Sequence, residues 1–419
     1  MQERSAKKRD FFRALPNGAR ESILKDEERQ GVRTMGEPQN QNTLKSSNRA
    51  RLLERIRRQS TARAELARQL GLTKSAVTLL TGEMIREGLL REAGPAEKSA
   101  APGRTSILLD IVPDHAFAVG IALHRRVCRV CLTDLSARPI ADEELPTQTL
   151  PSGDAALAQL WQTALRLMRQ TGADPARCVG IGASAPGPLD HAGGRILQPT
   201  EFAQFCGLPV VERLHQRAGL PVCLENNAVA LALLDRLRRG GGDGSVLFTV
   251  VADGIGSALL QDGRPFRGGR GFAGELGHLC VEPDGLRCTC GARGCLEQYA
   301  TLRALRARHG FDRYEEIVDR AEDGDRRAQA VLQDLTGHLG LALVDAVDLF
   351  DPETVVLYGE YGYRATVLTA RLAEYIAEHS LICRAHAVAV LPSPLTAADA
   401  GAAAAVSALD AFFARGGRL

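Results

Sequence analysis

The stretch that most constrains this chain is 274–297, where His278, Cys288, Cys290 and Cys295 stand close together among glycines. Three thiolates and one imidazole are the ligand complement of a closed tetrahedral zinc site, and four protein ligands leave no position for a catalytic water. Gly285, Gly291 and Gly294 let the backbone bend tightly enough for such close neighbours to converge on one ion. One structural Zn²⁺ per chain is therefore the expected cofactor. Incidental core thiols, the competing reading, would not require this spacing. The other cysteines considered, Cys128, Cys131, Cys178, Cys206, Cys223 and Cys383, are scattered through apolar segments and read as core residues.

A chain of 419 residues exceeds one ordinary domain, so two or three are expected. It has no run of 18 apolar residues and opens on a charged, polar segment without the apolar stretch of a signal peptide. The expectation is a cytoplasmic protein with no membrane partner. Net charge is only +2, yet residues 1–109 hold 22 basic against 13 acidic side chains, which leaves the remainder net acidic. Such asymmetry points to a basic nucleic-acid module on a mildly acidic body.

Residues 1–42 are polar and lack periodicity, which predicts disorder, and Met35 is a second candidate translation start. Three helices follow, over 48–58, 63–70 and 74–87. Ser60 or Thr61 would cap the second, with Glu65 near the capping-box position, and Thr73 the third. Ala67, Gly71 and Val77 stand at helix-turn-helix offsets: a small residue where helices cross, a turn glycine, and a branched residue filling the angle. The third helix would place Lys74, Ser75, Thr78 and Thr81 in the major groove. A β-hairpin after Gly88 would form a wing, with Lys98 at its tip and Arg104 reaching the minor groove. The module is assigned to 43–109 and the body to 110–419. The body alternates short apolar strands with helices, twice over, which suits two packed α/β lobes.

Glu275-x-Gly277-His278, followed by Cys288-x-Cys290-Gly291-x-x-Gly294-Cys295-x-Glu297, resembles the signature of the ROK family of bacterial sugar kinases and sugar-gene repressors. The resemblance extends from about Asn48 onward. It implies an α/β protein with an N-terminal winged helix-turn-helix followed by a two-lobed actin-like (ribonuclease H-like) sugar-kinase fold. It also implies a homodimer or dimer of dimers. Paired recognition helices reading half-sites of a double-stranded operator demand the same symmetry.

Family kinases open their body with Asp-x-Gly-Gly-Thr, which admits phosphates. Here Ala122 replaces the acid, and Leu123, His124 and Arg125 bring bulk where glycine and threonine belong. A second phosphate loop survives in part around Gly254 and Gly256, but Asp253 would repel phosphate. The family's catalytic aspartate is Asn227 here, and an amide cannot take the sugar proton. Neither test favours an enzyme. By contrast Asn226, Asn227, Glu275, His278 and Glu297 match the family's sugar-contacting positions. Amides with carboxylates suit a polyol, whose hydroxyls both donate and accept. The loop Pro186-Gly187-Pro188 resembles one bordering that cleft, and Ser184 is a further candidate contact. His278 would serve twice, one ring nitrogen on zinc and the other toward a hydroxyl or Glu275. The expected function is a carbohydrate-gene repressor released by a sugar or sugar derivative, or by a phosphotransferase-system protein as for some family repressors. The alternatives are a sugar kinase with an atypical phosphate site and an interaction module without DNA affinity.

Overall fold

The computed structural model describes residues 41–95, 106–198, 202–242 and 244–419. The expectations for residues 1–40, for the wing tip with Lys98 and for Arg104 lie outside the described residues. Ser47–Leu419 forms one compact unit, which takes in the first helix from its second turn onward.

That unit begins with three helices, α1 (Gln41–Arg58), α2 (Arg63–Leu70) and α3 (Lys74–Arg86). The first starts seven residues earlier than the sequence pattern suggests. Thr73 caps α3 by accepting from the Ala76 amide, as expected. The expected cap of α2 is absent: Ala62 holds that position without a side-chain bond. Thr61 and Ala62 are instead drawn into a short strand, β1, opposite Leu109 and Leu108. Ala67 and Val77 are buried, and Gly71 closes α2 with φ +64°, a left-handed turn that glycine adopts without penalty. Strands β2 (Leu90–Pro95) and β3 (Ile107–Ile111) complete a three-stranded sheet in the order β1-β3-β2. The three helices are consistent with the expected helix-turn-helix, and β2 and β3 form the described part of the expected hairpin.

The body holds two five-stranded sheets. The first comprises β4 (Phe117–Ala122), β5 (Val127–Asp134), β6 (Pro139–Pro146), β7 (Cys178–Ala185) and β10 (Val222–Asn226). A separate two-stranded ribbon, β8 (Leu189–Asp190) and β9 (Arg195–Ile196), lies between the last two in sequence. The second sheet comprises β11 (Val246–Val251), β12 (Ile255–Gln261), β13 (Arg264–Pro265), β14 (Thr354–Gly359) and β15 (Ala389–Pro392). Counted within each sheet, both run third-second-first-fourth-fifth, with two antiparallel neighbours followed by two parallel ones. This duplicated topology is the two-lobed actin-like fold.

Helices α4 (Asp154–Thr171) and α5 (Val210–Ala218) pack in the first lobe, and α6 (Asn227–Arg238) follows β10 directly. The next helical stretch is broken at Thr301 into α7 (Glu297–Ala300) and α8 (Leu302–His309), because the Thr301 side chain caps the second piece. Then come α9 (Tyr314–Glu322), α10 (Arg326–Phe350), α11 (Ala365–His379) and α12 (Ala400–Ala414). The stretches Arg326–Phe350 and Ala397–Ala414 are long and apolar enough to cross a membrane by composition, but 61% of each is buried within the fold, as core helices are. Cys128, Cys131 and Cys178 are core thiols as expected. Cys206 is exposed, and Cys223 and Cys383 are half-buried, because they fall in a loop, on an edge strand and in a 3-10 turn.

The final helix returns to the first lobe, where it crosses β4, β5, β7 and β10 and packs on α6. Its small residues permit backbone-to-backbone approach. A Cβ on Gly120 would lie 1.9 Å from the Gly401 carbonyl oxygen, and one on Gly182 would lie 1.9 Å from that of Ala404. Overpacked cores lose about 1–3 kcal/mol, and backbone obstacles give way least. Gly120→Ala is expected at or beyond the top of that range, read as a lowered urea midpoint without a changed slope.

Candidate functional site: a cleft beside a cysteine-histidine cluster

The ligand atoms of His278, Cys288, Cys290 and Cys295 all lie within 4.8 Å of one another. The Cys290 and Cys295 sulfurs are 3.7 Å apart, as are the Cys288 sulfur and His278 Nδ1. A tetrahedron with Zn–S bonds of about 2.3 Å has edges of about 3.8 Å, so the cluster has the dimensions of a zinc cage. The local backbone makes it so. The backbone of Cys280 pairs antiparallel with that of Cys295, and that of Arg287 with Arg293, while the Leu286 amide donates to the Tyr299 hydroxyl at 2.7 Å. Gly294 is obligatory, with φ +72° and the Glu282 carbonyl oxygen 1.8 Å from where a Cβ would sit. Burial raises the Cys288 thiol, but hydrogen bonds with Cys290, Cys295 and His278 outweigh it and bring the group down to about 7. Cys295, buried and facing the other sulfurs, is pushed up to about 12. A cation would hold both as thiolates.

The cluster forms one wall of a cavity of about 720 Å³, which His278 and Cys290 both line. Asn226, Asn227, Glu275 and Glu297 line it too, so all five sugar-contact positions expected from the sequence are brought together. Pro186, Gly187 and Pro188 border it as expected. Ser184 does not reach it: the residue is buried on β7, and its carbonyl accepts from the Leu123 amide.

Each polar group is positioned by a nearby element. Asn226 ends β10 and caps α6, its side-chain oxygen accepting from the Ala228 amide at 2.8 Å. Asn227 donates from Nδ2 to the Leu123 carbonyl at 3.1 Å. Its Oδ1 is buried without any hydrogen-bond partner, an acceptor awaiting a donor. Glu297 sits at the start of α7, accepting from the Ile255 amide at 3.3 Å, with Arg303 3.6 Å away. Burial raises the Glu275 carboxyl; His278 opposes and Glu297 adds to the rise.

The phosphate end differs from the sequence expectation in one respect. Asp253 is not an isolated repulsive charge, because Arg126 pairs with it. His124 is kept neutral, lowered to about 4 by burial and by Arg125 and Arg129. Arg125, Arg126 and Arg129 all line this end, and Arg129 is itself paired with Asp142 and Glu144 at 2.6 and 2.9 Å.

Sequence reasoning did not find Arg267, which reaches from the second lobe's loop to hold Glu225 of β10 at 2.9 and 2.5 Å. No motif marks it, since the pair joins residues 42 apart in sequence. On the helix-turn-helix, Lys74, Ser75 and Thr78 are exposed, and the Thr78 hydroxyl donates back to the Lys74 carbonyl. Thr81 is not available to DNA. It is fully buried, donates to the Val77 carbonyl and accepts from Arg63 Nε at 3.1 Å. Leu79, by contrast, is 59% exposed on the same helix.

Paired lobes around a cleft lined by amides and carboxylates, preceded by a winged helix, define a sugar-kinase-type protein carrying a nucleic-acid-binding module. The chain belongs to the ROK family, whose pattern matches residues 118–409. It is similar to the xylose repressor of Caldicellulosiruptor bescii, 26% identical over 77% of this chain and 85% of that protein. It is 30% identical to the DNA-binding transcriptional dual regulator NagC of Escherichia coli over 71% of this chain and 76% of that protein. Among solved structures, a ROK family transcriptional regulator homologous to E. coli MLC superposes with a TM-score of 0.74 at 26% identity, covering 89% of this chain and 98% of that one. A ROK hexokinase from Thermus thermophilus superposes at 0.59 with 31% identity, over 70% of this chain and 97% of that one.

Cys290→Ser should reduce bound zinc from one per chain to well below one by elemental analysis, and lower the thermal midpoint in parallel. Because protons compete for the thiolates, zinc retention in the unaltered protein should fall as pH is lowered, followed by chelator-trapped release.

Proposed function

We propose that this chain is a sequence-specific DNA-binding repressor of carbohydrate uptake or catabolism genes, released when a sugar or sugar derivative enters a cleft that no longer transfers phosphate. The observation that carries this reading is the Asn227 side chain. It offers a buried, unpartnered acceptor to a hydroxyl at the position where family kinases carry their proton-abstracting aspartate. Binding is retained there and proton abstraction is not. The bulk of Leu123, His124 and Arg125, where family kinases carry glycine and threonine, supports the same conclusion.

The partners are double-stranded operator DNA and, by the two-fold logic of operator recognition, a second copy of this chain. Lys74, Ser75 and Thr78 face the groove in this reading. Leu79 joins them as an apolar contact for a thymine methyl, and Thr81 is withdrawn. Zinc fits the cysteine-histidine cluster by donor set and spacing. Four protein ligands give it a structural role: it fixes His278, and through the neighbouring turn Glu275, against the cleft.

Protein incubated with fragmented DNA from its own source at physiological salt should retain a few sites sharing an inverted repeat. Lys74→Ala should weaken binding at all sequences and reduce the salt slope by about 1 if the ammonium contacts phosphate, or relax preference at one base if it reads an edge. D-xylose and N-acetylglucosamine, the sugars in the relatives' names, are the first calorimetric ligands, and Asn227→Ala should weaken whichever binds at least tenfold. Sugar-dependent ADP release at high protein concentration would restore the kinase reading instead.

A further inference from the structure

The cleft and the winged helix are joined by one helix. At its cleft end, Ala397 of the preceding 3-10 turn and Ala400 of α12 line the cavity. Fifteen residues later, or about 22 Å at 1.5 Å per residue, the helix ends among the residues of the DNA-binding module. There Arg57 of α1 pairs with Asp410 and stacks over the Phe413 ring at 4.7 Å. Gly417 tucks beneath Leu53 and Leu89, which lie 2.8 and 2.5 Å from where its Cβ would be. Arg49, fully buried, donates from Nε to the Gly416 carbonyl at 3.0 Å and forks onto both oxygens of Glu87 at 2.8 and 2.5 Å. Glu87 is the C-terminal cap of α3. The connection runs without a gap from cavity wall to recognition helix.

Two further features suit this connection to movement. The face α12 lays on the sheet is alanine and glycine against Gly120 and Gly182. Lateral and inward motion meets backbone, and the nearest side-chain atoms set across the contact are short ones, Cys131 Cβ against Gly401 and Ser407 Oγ against Gly182. In addition, Arg57 Nε and one terminal nitrogen are buried with no acceptor. The seat shown leaves hydrogen bonds unmade, and a second seat can make them. Small shear displacements of packed helices are a recurrent switching device.

We propose that α12 is the element through which cleft occupancy reaches the recognition helix: a group pressing on Ala397 shifts the helix in its seat at Arg49, Arg57 and Gly417. The competing route is the covalent crossing from β3 to β4, where the Leu135 amide bonds the Pro113 carbonyl. The inference rests on the repressor reading for its biological meaning, but its test does not depend on an identified effector. Ala397→Phe, at an exposed position facing the cavity, serves as the built-in occupant.

Amide hydrogen exchange over 84–91 is read in the full chain, with and without Ala397→Phe, in three backgrounds: unaltered, Asp410→Ala with Phe413→Leu, and Pro113→Gly. Arg49→Lys is a further seat variant should the double substitution unfold. Affinity for duplex DNA recovered by the retention experiment is measured alongside. The expected result is a several-fold change in exchange, and about a five-fold or greater change in duplex Kd, in the unaltered and Pro113→Gly backgrounds. With the seat altered, both should shrink below two-fold. Equal responses with and without the seat, a response lost only in Pro113→Gly, or no response to Ala397→Phe in the unaltered chain would overturn the proposal. Absence of any duplex binding would defeat the repressor reading while the exchange data still decided the fate of α12.

Discussion

The contact on which most of this molecule depends is the seat of α12 on the first sheet, backbone against backbone at Gly120 and Gly182. Because no side chain separates them, the last helix of the chain belongs to the first lobe, and its core runs continuously into that of the winged helix. Leu52, Leu53, Val77, Leu89, Leu409 and Phe413 belong to one cluster. A core shared in this way makes the helix-turn-helix part of the body's packing rather than a tethered appendage. Stability of one is then coupled to arrangement of the other, the physical precondition for linkage between distant sites.

In the proposed reading, few residues separate a transferase cleft from a receptor cleft. Phosphoryl transfer needs room for phosphates and a base; polyol binding needs directed amides and carboxylates. The first set is local to one turn and one side chain, and here that turn holds His124, Arg125 and Arg126 while the side chain is Asn227. The second set is spread over β10, the 274–278 turn and α7, each of which also supports the cysteine-histidine cluster or a helix start. Replacing the first costs the fold little; replacing the second would unseat its scaffolding.

Much of this was legible in the sequence because it rests on short-range rules. Ala67, Gly71 and Val77 are constrained by a single turn, and the four cluster residues by one ion's radius. What was not legible depends on distant partners. Thr61 left its capping role because β3, nearly fifty residues on, recruits it into a strand. Thr81 looked like a surface residue until Arg63 closed over it, because the pattern of one helix cannot say which side of a small module meets solvent. Asp253 and Arg126 come from different lobes, so neither their pairing nor that of Arg267 with Glu225 leaves a mark on local sequence.

The two adjacent asparagines of the cleft are chemically alike in sequence and opposite in the folded chain. Asn226 has its carbonyl committed to capping α6, which leaves its NH₂ to face outward. Asn227 has its NH₂ committed to the Leu123 carbonyl, which leaves its oxygen. The group left without a partner is thus the oxygen at Asn227, while at Asn226 the oxygen is already engaged and both N–H donors remain. The pair therefore reads hydrogen-bond direction and not merely polarity. A ligand whose hydroxyl is exchanged for fluorine or methoxy can no longer donate to the Asn227 oxygen, and chemical mapping with such analogues in the unaltered and Asn227→Ala proteins would orient the sugar in the cleft.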